Sequence, residues 1–153
     1  MKKPINIIFL FIYLFIVSCG YSPLKNGNNT NFYIGDLSIE GNRSINKHIL
    51  NYLKIYNQPR DNSIRYDLKI STNYKKIVKS KDNKGNPSNY NLNVESSIQI
   101  ILNDGNIIKK VINKNKSLSS NKRKIAEKEA EKKYLKNMSK LISEDIIFLL
   151  MNR

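Results

Sequence analysis

The longest regular pattern in the chain lies near its centre. Tyr90, Leu92, Val94, Ser96, Ile98, Ile100 and Leu102 occupy every second position, with Asn91, Asn93, Glu95, Ser97 and Gln99 between them. Side chains on a strand alternate faces, so this spacing predicts a long antiparallel strand with one buried and one wet face. Asp104-Gly105 supplies a hairpin turn, after which Asn106 to Lys116 returns as a weaker, lysine-rich strand. Upstream, Ile64, Tyr66, Leu68 and Ile70 alternate with Arg65, Asp67 and Lys69, which predicts a strand from Ile64 to about Lys79. Asp82 to Gly85 and Pro87, within Ser80 to Ser88, mark the turn between these two strands. A first strand is expected over Phe32 to Glu40, with Phe32, Ile34, Leu37 and Ile39 facing inward and Gly41-Asn42 ending it.

Elsewhere the period changes. Ser44 reads as an N-cap. After it Ile45, His48, Ile49, Tyr52, Leu53 and Tyr56 recur at three- and four-residue spacing, one face of a short helix closed by Pro59. A second helix is expected within Leu118 to Arg153, beginning after Ser119-Ser120-Asn121. Its stripe is Ile125, Ala126, Ala130, Tyr134, Leu135, Met138, Leu141, Ile142, Ile146 and Leu149. Pairs such as Glu129–Lys133 add a few tenths of a kcal/mol each. The order β-α-β-β-β-α predicts an α+β two-layer sandwich: a four-stranded, mainly antiparallel sheet with two helices on one face. One domain over residues 32–153 is expected.

The N-terminus carries a different signal. Met1-Lys2-Lys3 is followed by the apolar run Ile5 to Val17, interrupted by Asn6. A helical bilayer span needs roughly 20 apolar residues, so this run is short for an anchor and suited to a signal-peptide core. Ile16-Val17-Ser18-Cys19 follows directly and has the form of a lipobox. The Cys19 thiol can take a thioether-linked diacylglycerol, small Ser18 gives a signal peptidase access to the bond between them, and the freed amine can receive another acyl chain. Residues 1–18 are therefore read as a lipoprotein signal peptide and residues 19–31 as an acylated N-terminus and tether. Two or three acyl chains, at about 0.8 kcal/mol per buried methylene, hold a protein on a membrane durably.

Charge and composition narrow the reading. The 153 residues include 27 Lys plus Arg against 12 Asp plus Glu, a formal charge of +15. Removing residues 1–18 takes away Lys2 and Lys3 and leaves +13. Such a surplus favours an anionic neighbour: nucleic acid, an acidic membrane surface or a phosphorylated ligand. Secretion and acylation argue against nucleic acid. A single cysteine excludes a multi-cysteine metal site, and a single histidine, His48, reads as a core residue on the first helix. No pair of carboxylates is marked out for acid–base chemistry, so no enzyme is expected, and no cofactor beyond the S-diacylglycerol and N-acyl lipid on Cys19. Arg65, Lys69, Lys75, Lys76 and Lys79 on the second strand, with Lys109, Lys110, Lys114 and Lys116 on the fourth, are candidates for a basic stripe. Lys122-Arg123-Lys124 at a helix start opposes the helix dipole and hints at an anionic partner.

The opening Cys19-Gly20-Tyr21-Ser22-Pro23-Leu24 resembles the Cys-Gly-aromatic-x-Pro-Leu start of the LPS-assembly lipoprotein (LptE) family, in its alphaproteobacterial form. The element order and the segment Ala126 to Leu135, followed by Leu141-Ile142 and Ile146, are similar to that family's sandwich and closing helix. The resemblance implies a non-enzymatic outer-membrane lipoprotein facing the periplasm and the lumen of an LptD-like β-barrel. It would plug that barrel, help assemble it and assist lipopolysaccharide insertion at the cell surface. Arg65, Lys69, Lys75, Lys76, Lys79, Lys109 and Lys110 are then candidates for contact with lipopolysaccharide or the barrel wall. The competing reading is a generic cationic envelope lipoprotein that binds peptidoglycan or another envelope protein.

Overall fold

The computed structural model describes residues 30–59 and 61–152. Ser18, Cys19, the signal peptide and most of the tether lie outside the described residues. The chain runs β1 (Phe32–Gly41), α1 (Arg43–Leu53), a 3-10 turn (Lys54–Tyr56), β2 (Ile64–Lys81), β3 (Pro87–Leu102), β4 (Ile107–Ser119) and α2 (Lys124–Met151). The four strands form one sheet in the order β1-β2-β3-β4. β1 pairs with β2 in parallel, because α1 carries the chain back across the sheet between them, while β2–β3 and β3–β4 are antiparallel. The expected α+β sandwich is the fold observed.

Alternation builds the core. Tyr66, Leu68, Ile70 and Thr72 of β2 sit in register with Leu102, Ile100, Ile98 and Ser96 of β3, on the face that the helices cover. Ile45, Ile49 and Leu53 of α1 close over one side, and Leu135, Met138, Ile142, Ile146 and Leu150 of α2 over the other. α1 packs on β1 and on α2, which in turn lies across β3 and β4. β2 has 18 residues, roughly 60 Å at about 3.4 Å per residue. Its buried positions stop at Thr72, so the β2–β3 hairpin reaches past the packed core, leaving Ile77 and Val78 exposed.

Several boundaries differ from the sequence reading. Asn42, not Ser44, caps α1: its side-chain oxygen accepts hydrogen bonds from the backbone N–H groups of Ser44 and Ile45 at 3.1 and 3.2 Å. Asn42→Ala is expected to cost about 1 kcal/mol in a denaturant melt, whereas Ser44→Ala leaves the midpoint in place. Leu118 and Ser119 belong to β4, and α2 begins only at Lys124. Ile125 is 76% exposed and Leu141 is also exposed, whereas Ile147 and Leu150, absent from the expected stripe, are buried. Ile64 is exposed at the start of β2. His48 is half-buried instead of enclosed; burial and then the charges of Lys136 and Lys47 lower its pKa.

The two outer strands are unlike. β4 carries Lys109, Lys110, Lys114 and Lys116 along its length. β1 has no lysine, but its pairing with β2 shifts between Ile34 and Leu37. At that bulge the Asp36 N–H donates to the Asp67 carboxylate at 2.8 Å.

Candidate functional site

The uncovered face of the sheet is where the fold leaves side chains free for a partner. Register places Lys69, Ser71, Asn73 and Lys75 of β2 beside Gln99, Ser97, Glu95 and Asn93 of β3, which face Lys109, Val111, Asn113 and Asn115 of β4. Amides and hydroxyls dominate this surface. Each amide both donates and accepts, so the face can hydrogen-bond to a polar wall of either character.

The candidate cations do not form one stripe. Strand alternation sends Lys75 and Lys109 to the uncovered face and their neighbours Lys76 and Lys110 to the face toward the helices. Arg65 and Lys69 share the uncovered face with Lys75 and Lys109. Lys79 falls at the register shift between Val78 and Ser80, near the hairpin tip. Lys114 and Lys116 lie on the helix-covered side with Lys110.

Their partners also divide them. Arg65 bonds Asp36 and Asp67, both at 2.9 Å. Its guanidinium holds Asp67 below the usual carboxylate range, helped by the Asp36 N–H, and is itself stabilised in its charged form. That exposed pair mainly ties β1 to β2 at the bulge. Lys76 reaches Glu127 at 2.9 Å and Glu131 at 2.8 Å, under the first turns of α2. Burial disfavours the Lys76 charge, yet hydrogen bonds to Glu131 and Glu127 outweigh it and raise the pKa. Glu127 is 6% exposed. Its hydrogen bond from Lys76 prevails over burial, with the Asn121 N–H and Lys124 adding to it, and holds its pKa at about 2. Burial raises Tyr74, whose hydroxyl donates to Glu131 at 2.6 Å. Lys114 bonds Asp145 at 2.6 Å, and Lys116 lies over the Tyr134 ring. Lys69, Lys75, Lys79, Lys109 and Lys110 take no ion pair among the described residues. The Lys76–Glu127–Glu131 cluster was not foreseen from sequence, since its members are 51 and 55 positions apart.

No group of three or more His, Cys, Asp or Glu side chains that could hold a metal occurs among the described residues. No helix among them is long and apolar enough to cross a membrane.

No family model matches the chain, and no curated protein matches it significantly. Solved structures do. Rare lipoprotein B from Shewanella oneidensis superposes with a TM-score of 0.60 at 14% identity, covering 76% of this chain and 93% of that one. Lipoprotein B from Nitrosomonas europaea gives 0.53 at 12% identity, over 82% and 88% of the two chains. A minor lipoprotein from Acinetobacter baumannii gives 0.50 at 14% identity, over 72% and 91%. At such identities the likeness is one of fold, and by fold this chain stands with these bacterial lipoproteins.

Proposed function

We infer that the chain is a non-enzymatic lipoprotein, anchored to the outer membrane through acylated Cys19, that plugs and helps assemble an LptD-like lipopolysaccharide-export barrel and assists lipopolysaccharide insertion. The observation that carries this reading is the Cys19-Gly20-Tyr21-Ser22-Pro23-Leu24 opening joined to a lipoprotein fold. The uncovered sheet face supports it, because barrel interiors are polar and an amide-rich surface can hydrogen-bond to them. Lys69, Lys75, Lys79, Lys109 and Lys110, free of acidic partners among the described residues, are the cations proposed for lipopolysaccharide phosphates or acidic barrel groups; Arg65 and Lys76 would have to exchange partners to join them.

The test is co-purification from detergent-solubilised outer membrane. The tagged wild-type chain is expected to bring down a large β-barrel, and Cys19→Ser to leave the outer-membrane fraction and lose it. A wild-type chain that brings down no barrel would refute this reading, and one that sediments with cell-wall sacculi would support the peptidoglycan-binding alternative.

A further inference from the structure

The helix layer ends in an apolar recess of about 520 Å³, lined by Tyr52, Ile55, Tyr56, Ile147, Phe148 and Met151. It lies between the turn after α1 and the last turns of α2. Phe148 is 67% exposed, Ile55 56% and Met151 53%. Three large apolar side chains left in water at one end of a small domain call for a cover.

Two observations identify it. The first is where the chain leads. The Phe32 ring stacks on Tyr56, a wall of the recess, at 5.7 Å between centroids and 12° between planes. β1 therefore starts at this end of the domain. Twelve residues separate Phe32 from Cys19, thirteen steps with a reach of at most about 47 Å, so an acylated Cys19 can bring this end to the bilayer, with the β2–β3 hairpin at the opposite end of β2. The second is the rim. Lys140 borders the recess, paired with Glu144 at 3.6 Å, and Lys54 adjoins Ile55. One turn back, Lys47 and Lys136 flank His48. On the lining itself Lys140 and Glu144 are one cation and one carboxylate; Lys54, Lys47 and Lys136 lie beyond it and take no ion pair among the described residues. Exposed aliphatic and aromatic tips inside a cationic rim, with tyrosines between, suit the boundary of acyl chains and anionic headgroups.

We propose that this end of the domain docks on the bilayer itself, with Ile55, Phe148 and Met151 inserted among acyl chains and the lysine rim on acidic headgroups. The proposal takes its orientation from the lipid-anchor reading, but its test needs neither anchor nor barrel. The chain lacks tryptophan, so one introduced indole is a unique reporter. In the unacylated chain from residue 19 with Cys19→Ser, Phe148→Trp is expected to shift to the blue on vesicles of phosphatidylethanolamine with about one-third phosphatidylglycerol. Brominated acyl chains should quench it, and salt should weaken it. Val111→Trp, on the uncovered sheet face, should not respond. With Val111→Trp as carrier, binding measured by vesicle co-sedimentation should fall about tenfold on adding Ile55→Gln and Phe148→Gln; both sites are exposed, so the melting temperature should hold. The proposal is overturned if Phe148→Trp stays unshifted and unquenched, if Val111→Trp is quenched equally, or if the glutamine pair binds as before. A blue shift that grows with protein concentration before vesicles are added would assign the recess to a second copy and overturn it too. A barrel that fails to co-purify while the vesicle result stands would sink the export reading alone.

Discussion

Gly41→Ala is expected to lower the unfolding free energy by about 2–6 kcal/mol, a strained backbone angle and a forced repacking each contributing about 1–3. Gly41 has φ of +104°, where a side chain is strained whatever the space. A Cβ there would fall on the Thr72 carbonyl oxygen. That oxygen cannot retreat cheaply, since it belongs to the ladder partner of Gly41 and also faces the Asn42 N–H at 3.3 Å. The same junction is held by Thr72 Oγ1, which accepts from the Asn42 N–H at 3.0 Å. A melt should drop by roughly 10–20 °C. Gly85→Ala separates the two causes. Its φ is +81°, but nothing lies within 4 Å of the added carbon, so its cost should be about 1–2 kcal/mol. Equal losses at the two glycines would refute the clash.

The second large effect concerns the ion cluster under α2. Glu127→Gln should cost about 2–3 kcal/mol at neutral pH, because it removes the charge of a buried carboxylate that pairs with partly exposed Lys76 and weakens the acceptor for the Ser120 hydroxyl and the Asn121 N–H. The pH dependence has a definite sign. Folding depresses Glu127 from an ordinary 4.5 to about 2, so its contribution is complete above pH 4.5 and fades as pH falls toward 2. The gap between wild type and Glu127→Gln should therefore narrow steadily below pH 4.5. Urea melts at pH 7 and near pH 3 check this; a constant gap would show that the carboxylate charge is not what holds α2 to β2.

What the sequence revealed, and what it hid, follows from how directly each letter reports its surroundings. β3 was legible because alternation over Tyr90 to Leu102 is the burial pattern itself. The turns at Asp82–Gly85 and Asp104–Gly105 were legible because both glycines adopt positive φ and both aspartates bond backbone N–H groups. α2 was harder. Its buried face includes Ser139 and Ser143, whose hydroxyls donate to the carbonyls of Leu135 and Ser139 four residues back. A polar letter that satisfies itself on its own helix can sit in the core, and a search for apolar letters passes over it. Ile125 misled in the opposite sense, an apolar side chain left in solvent at a helix start. The candidate cations show a third case. Lys75-Lys76 and Lys109-Lys110 are adjacent in sequence, and the alternation that defined β3 should also have divided them between opposite faces. Pairing with Glu127 and Glu131 from a distant helix was beyond local pattern.

The unlike outer strands bear on how such molecules coexist. On the proposed Cys19 anchor, copies held on one leaflet would meet in a plane and collide far more often than in free solution. A second β4 approaching the first would bring lysine against lysine, and the kinked β1 offers no straight run for an incoming backbone to copy. Both outer strands therefore disfavour edge-to-edge pairing between copies under crowding.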